Sequence, residues 1–343
     1  MVKLEPSPKK YMRNAKMVKQ RFALSLCSAA LFFAGIFFIL SIPVNVQSKE
    51  KLVVFHAGSL AVPFKVMKQA FIKKYPGVEI QLEASGSRTC ARKITDLNRP
   101  CDVMASADYS VIENLLIPEH ADWNISFATN EMAIMHRPDS PHSKEINKNN
   151  WYRILHGKDV EYGHSDPNCD PCGYRTLLVW QLAEKYYKIP GLNQELLNGC
   201  PLQNIRPKET DLIGMLEAGQ IDYLFIYRSV CEQHEMPFVL LPEEISLKSV
   251  KHQEFYKSAN VRISGKKPGT FITKNGKPMV YGITMPKNAP NPDIAINFIS
   301  FVVGKKGQEI MRLNGQPPVS PPNATGNTDK IPLPLSKLVS IHQ

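Results

Sequence analysis

Three junctions in this chain place small, hydroxyl-bearing and turn residues where an apolar, strand-like run gives way to a helical pattern. They are Ala57-Gly58-Ser59, Ser85-Gly86-Ser87 and Asp170-Pro171-Cys172-Gly173. A helix start leaves its first backbone amides without intrahelical partners and carries the positive end of the helix dipole. Several such starts facing one another make a site for a small anion without any buried lysine or arginine. The chemistry on offer is therefore recognition of a small oxyanion. A plainer reading stands beside it, since Ser59 and Ser87 ahead of helices also look like N-caps. Asp170 followed by Pro171 likewise looks like a cap with a first-turn proline.

The elements that must position these junctions alternate. Residues 51–56 read as a buried strand, and 62–75 as an amphipathic helix with Phe64, Met67, Ala70 and Phe71 inward and Lys65, Lys68 and Lys73 outward, ended by Pro76-Gly77. Strand 78–83, helix 88–97, strand 102–105 and helix 109–116 follow. This alternation predicts a parallel sheet with helices on both faces, where ligands sit at the carboxyl ends of strands. Residues 127–136 (FATNEMAIMH) read as a long extended connection into a second lobe holding strands 160–163 and 221–227 and helices 174–187 and 211–218. Leu178, Leu182 and Tyr186 are expected in its core, and Gly219 where a left-handed residue stops a helix. Residues 278–285 read as the strand returning to the first lobe, 293–303 as a closing helix, and the proline-rich tail 317–334 as a wrap over the surface. The fold class is α/β, in two lobes with a ligand cleft between them. Lobe 1 comprises 51–131 and 278–343; lobe 2 comprises 132–277.

The net charge of +11 is concentrated at the start of the chain. Residues 1–50 carry eight Lys/Arg against Glu5 and Glu50, so +6 of the +11 belongs there. The body holds no basic helix or aromatic-interleaved basic stripe, and a nucleic-acid partner loses its support. Residues 22–48 contain no charge, the run 22–46 is long enough to cross a bilayer, and seven basic residues precede it. By the positive-inside rule the remainder lies outside the cell, attached to the membrane by a retained anchor or released from a cleaved signal. Six cysteines follow this segment: Cys90, Cys101, Cys169, Cys172, Cys200 and Cys231. Disulfides are possible in an exported chain, but the pairing cannot be read from sequence. Cys169-x-x-Cys172 has no second closely spaced Cys/His pair to complete a zinc cluster. Asn124-Ile125-Ser126 and Asn323-Ala324-Thr325 are glycosylation-type triplets.

Seven phrases occur in one order: VFHAGSL, EASGSRTCARKITDL, DVMASADY, NCDPCGYR, RPKETDL, IDYLFIY and VYGITMPKNAPN. Together, over residues 51 to 320, the chain resembles the tungstate/molybdate-binding proteins of archaeal ABC importers, relatives of the bacterial molybdate-binding proteins. The resemblance implies a type II periplasmic-binding-protein fold that closes on one tetrahedral oxyanion, tungstate or molybdate. It also implies delivery of that anion to an ABC permease with its ATPase subunit, with no cofactor and no catalytic residue. Carried over by motif, the ligand contacts are Gly58 and Ser59, Ser87, Asp170, Pro171 and Cys172, Glu209, and Tyr227. Asp170 and Glu209 match the two carboxylates that approach the metal of the anion. Without the resemblance, Glu209 reads as a residue that favours a helix dipole, and Tyr227, on a strand with Ile221, Tyr223 and Phe225, reads as core.

An ionised carboxylate about 4 Å from a dianion, at an effective dielectric of about 20, is repelled by roughly 8 kcal/mol. A sulfate or phosphate receptor would not tolerate two of them unless a proton intervened. Tungsten and molybdenum accept further oxygen donors, which turns a repulsive neighbour into a ligand and discriminates against sulfate. Arg88 and Arg175 follow two of the junctions and are expected to point along their helices toward solvent or a carboxylate. An enzyme would need a nucleophile with a base, such as Ser59 or Cys172 with a histidine, yet no G-x-S-x-G elbow accompanies them. A receptor for sulfate, phosphate or another small solute on the same fold is the serious alternative.

Overall fold

The structure, a computed structural model, describes residues 50–341; the apolar run 22–46 lies outside the described residues. One sheet has seven strands in the order β14 (Ser340–Ile341), β13 (Pro318–Gly326), β4 (Trp123–Thr129), β12 (Val280–Thr284), β3 (Val103–Ser106), β1 (Glu50–Ala57) and β2 (Val78–Ser85). β1 pairs in parallel with β2 and β3, whereas β12 runs antiparallel between β3 and β4. Leu52, Val54 and Phe55 of β1 are fully buried, as expected of a strand covered on both faces. The helix Ala61–Lys74 buries Phe64, Met67 and Phe71 at helical spacing and turns Lys65 and Lys73 outward. Ala70 and Lys68 lie at its edges, half-buried.

A second sheet has five strands, β7 (Ile205–Arg206), β6 (Tyr162–Ser165), β8 (Tyr223–Tyr227), β5 (Met132–His136) and β9 (Phe238–Leu240), in that order. The extended run over 127–136 is thus broken: β4 closes the first sheet, Asn130 and Glu131 cross between sheets, and β5 enters the second. A two-stranded arm, β10 (Asn260–Ser264) with β11 (Phe271–Asn275), stands apart from both.

Several expectations need correction. The proline-rich tail is a strand of the first sheet, with β13 antiparallel to β4. Its ladder is interrupted between Pro318 and Asn323, so Pro321 and Pro322 sit where no donor is required. Leu178 and Leu182 are buried but Tyr186 is 39% exposed, because the helix Pro171–Tyr187 turns that position outward near its end. Gly219 does take a left-handed φ of 72°. Asn124 is fully buried and donates to the Tyr109 carbonyl at 3.2 Å, so that glycosylation triplet is inaccessible in the fold. The six cysteines among the described residues are free thiols. Among the described residues no group of three or more His, Cys, Asp or Glu could hold a metal ion.

Candidate functional site

At the first junction β1 ends at Ala57 and a single 3-10 turn, Gly58–Leu60, leads into the helix Ala61–Lys74. Gly58 allows a close approach, because a Cβ there would lie 2.9 Å from both carboxylate oxygens of Glu209, which would have to move aside. The Ser59 hydroxyl is 2.9 Å from Tyr281 Oη, which accepts from Asn130 Nδ2, also at 2.9 Å. Asn130 Oδ1 accepts the Glu131 amide, which fixes the orientation of that side-chain amide. Tyr281 Oη and Ser59 Oγ share one hydrogen bond in which either hydroxyl can be the donor.

Ser87 is the first residue of the helix Ser87–Thr95, and the cap position belongs to Gly86. Its hydroxyl makes no cap bond; it accepts the Ala107 amide at 3.0 Å, which leaves its own hydrogen uncommitted. The next two amides, of Arg88 and Thr89, are not free. Both donate to the Cys169 carbonyl, at 3.1 and 3.2 Å. A Cβ on Gly86 would meet that carbonyl oxygen at 2.4 Å, so the helix start is seated against the loop ahead of Asp170.

Asp170 caps the helix Pro171–Tyr187, accepting the Cys172 amide on Oδ1 at 3.3 Å and the Glu209 amide on Oδ2 at 3.1 Å. Pro171 brings no amide hydrogen, and the Cys172 thiol is turned inward to the Phe225 carbonyl. The third junction thus presents a carboxylate rather than amides. The idea of three clusters of free N–H groups fails at two of the three, because capping and packing between the lobes use those donors.

Glu209 precedes the helix Asp211–Glu217 and is 1% exposed, yet neither carboxylate oxygen has a hydrogen-bond partner among the described residues. Burial and the adjacent Asp170 carboxylate hold its pKa well above the usual range. The amides of Glu209 itself and of Ser59 pull it down, but neither reaches hydrogen-bonding geometry. Tyr227, at the end of β8, is fully buried and accepts from Arg175 Nη1 at 3.0 Å. Burial raises its pKa, and Arg175 opposes the rise.

Gly58, Ser59, Asp170 and Glu209 therefore meet directly, with Pro171 and Cys172 beside them, while Ser87 and Tyr227 join through Ala107 and Arg175. Arg88 and Arg175 are buried, because backbone carbonyls receive them: Asn168 accepts Arg88 Nε at 3.0 Å and Ala107 accepts Arg175 at 2.9 Å. Sequence reasoning passed over Asn130, Tyr281 and Asp108. A polar Asn130 inside an otherwise apolar extended run was the available signal for the first. Asp108 is buried, takes the Tyr174 hydroxyl at 2.6 Å, and faces Lys277 and Lys274 at 3.4 and 3.7 Å.

This arrangement, donors and carboxylates converging between two α/β lobes, defines a receptor for a small solute. The family model of the bacterial extracellular solute-binding proteins matches residues 52–315, and the chain belongs to that family. It is 57% identical over 285 residues to an uncharacterized solute-binding protein of Petrotoga mobilis, covering 83% of this chain and 88% of the relative. It is 41% identical over 323 residues to a molybdate/tungstate-binding protein of Pyrococcus abyssi, covering 87% and 92%. In fold it is similar to the periplasmic molybdate-binding protein of Azotobacter vinelandii, with a TM-score of 0.56 at 16% identity, covering 77% of this chain and 98% of that one.

Proposed function

We propose that this protein binds tungstate or molybdate outside the cell and hands it to an ABC permease driven by its ATPase subunit. The observation that carries the reading is Glu209. A buried carboxylate with two unpartnered oxygens, next to a second carboxylate and beside the hydroxyls of Ser59, Ser87 and Tyr227, the last two with uncommitted hydrogens, suits an anion whose central atom accepts oxygen donors. Gly58, Ser59, Ser87, Asp170, Pro171, Cys172, Glu209 and Tyr227 form the site, with Asp170 and Glu209 as donors to the metal of the anion. The ion is cargo and the protein performs no catalysis. We further propose lobes of 51–131 with 278–343 and of 132–277, and a leader of residues 1–50 that ties the protein to the membrane or is removed.

The energetics support a role for the carboxylates. Hydrogen bonds to a charged group contribute about 1.5–3 kcal/mol each. Three hydroxyl donors then supply roughly 5–9 kcal/mol before association costs, whereas nanomolar binding needs about 12 kcal/mol net. Carboxylate coordination would supply the difference, and the same carboxylates repel sulfate. A thermal-shift panel of tungstate, molybdate, sulfate and phosphate tests this. A ligand at about 100 times its Kd adds about 2.7 kcal/mol of stability. Tungstate and molybdate should raise the melting temperature. A rise with sulfate or phosphate alone would replace the reading with the simpler receptor.

A further inference from the structure

Behind the candidate site one guanidinium joins the two lobes. Arg175 lies early in the helix Pro171–Tyr187 and is 3% exposed. Its Nη1 donates to Tyr227 Oη at 3.0 Å and to the Ala107 carbonyl at 2.9 Å. Tyr227 ends β8 of the five-stranded sheet, whereas Ala107 directly follows β3 of the seven-stranded one. The amide of the same Ala107 donates to Ser87 Oγ at 3.0 Å. A continuous chain, from the Tyr227 hydroxyl through Arg175 and the Ala107 peptide to the Ser87 hydroxyl, therefore runs from one lobe to the other between two residues of the proposed site.

A guanidinium only donates, so the Tyr227 oxygen accepts and the phenolic hydrogen is turned away from Arg175. The same holds for Ser87, whose oxygen accepts the Ala107 amide. We propose that Arg175 is a positioning residue of the oxyanion site, fixing the Tyr227 hydroxyl as a donor to the bound anion and doing so only when the lobes are closed, because the Ala107 carbonyl of the opposite lobe holds the guanidinium in place. This rests on the function proposed above. Arg175 does not itself meet the anion. Its Nη1 is engaged on both sides, and its charge is answered by the buried Asp108 carboxylate. Lysine does not substitute, since its shorter stem stops the ammonium short of the place where Nη1 serves the phenol and the carbonyl together.

The test is a double-mutant cycle on the full-length protein, by calorimetry with tungstate and molybdate, comparing the wild type with Arg175→Lys, Tyr227→Phe and the pair. Loss of one hydrogen bond to a charged ligand predicts a weakening of about tenfold or more for each single variant, with the double variant no weaker than Tyr227→Phe. Arg175→Lys keeps the charge and guards against misfolding, and circular dichroism melting without anion checks the fold. A Tyr227 ring-carbon resonance in tyrosine-labelled protein should also move in Arg175→Lys. Losses that multiply in the double variant overturn the proposal, as does Arg175→Lys binding within twofold of wild type while Tyr227→Phe is weak. If the wild type binds neither anion, the oxyanion reading fails separately. The Tyr227 resonance then decides for Arg175: a shift supports its hold on the phenol, and an unmoved signal ends it.

Discussion

Replacing Glu209 with glutamine should stabilise the anion-free protein while weakening it as a receptor, and these opposite signs make it the most informative perturbation. The native carboxylate is buried with neither oxygen partnered, a condition that costs about 1–3 kcal/mol for a neutral polar group and more for a charged one. Burial and Asp170 raise its pKa above the ordinary 4.5. Between that value and the raised one the native state holds a proton that the unfolded chain has lost, so stability falls as pH rises, by about 1.4 kcal/mol per pH unit. Glutamine does not titrate, and its gain should therefore be absent at pH 4 and present at pH 8. A gain of about 2 kcal/mol corresponds to about 3 °C in a chain of this size. Tungstate affinity should drop because an amide oxygen is a poorer donor to the metal. Sulfate affinity should rise, since relieving even about 2 kcal/mol of the roughly 8 kcal/mol repulsion between a dianion and a carboxylate is about 30-fold. Differential scanning fluorimetry at the two pH values and calorimetry with both anions provide the readout. A variant that melts no higher than wild type at pH 8, or that keeps full tungstate affinity, refutes the reasoning.

Three further outcomes are expected. Gly58→Ala places a methyl 2.9 Å from both Glu209 oxygens, so either the carboxylate or the lobe must shift; overpacking of this kind costs about 1–3 kcal/mol, measurable as lower melting temperature and weaker anion binding. Burial alone would raise the Asp108 pKa, but Lys277, Lys274 and Arg175 outweigh it and hold it well below the usual 3.8. Its stabilising effect is therefore present above about pH 4 and lost as pH falls through the depressed value. Asp108→Asn should cost about 3–5 kcal/mol at neutral pH, speed anion release in stopped-flow, and flatten the acid limb of the stability profile. Reductant should leave the melting temperature unchanged, and alkylation of the folded protein should label the half-buried Cys169 well before Cys172, whose thiol burial holds far above its normal pKa. Mass-spectrometric mapping of the labelled thiols checks this.

The sequence made the alternating elements of the first lobe legible because each strand and helix there is apolar at its own period. β1 and the helix Ala61–Lys74 fall within a residue or two of where Leu52, Val54, Phe64, Met67 and Phe71 imply. It was silent about β13, whose prolines argue against a strand until the interrupted ladder to β4 supplies a place that needs no donors. For Arg88 and Arg175 it left solvent or a carboxylate open; both are buried, Arg175 with its charge answered by the Asp108 carboxylate. Only the opposite lobe, which brings the carbonyls of Asn168 and Ala107 within reach, makes their burial tolerable.

The same distinction explains what became of the junctions. Their residue types pointed to amides as the anion donors, and amides are what local sequence can promise. The Cys172 amide, however, is taken by its own cap, Asp170, and once the lobes meet those of Arg88 and Thr89 are taken by the Cys169 carbonyl. Hydroxyl hydrogens remain, those of Ser87 and Tyr227 left free by donors from elsewhere in the chain, the Ala107 amide and Arg175. Neither of these donors is next to its hydroxyl in sequence. A set of hydroxyls whose oxygens are already engaged can only give hydrogen, so it favours a fully deprotonated oxyanion. The carboxylates of Asp170 and Glu209 then decide which oxyanion, because only a central atom able to bind oxygen converts their repulsion into attraction.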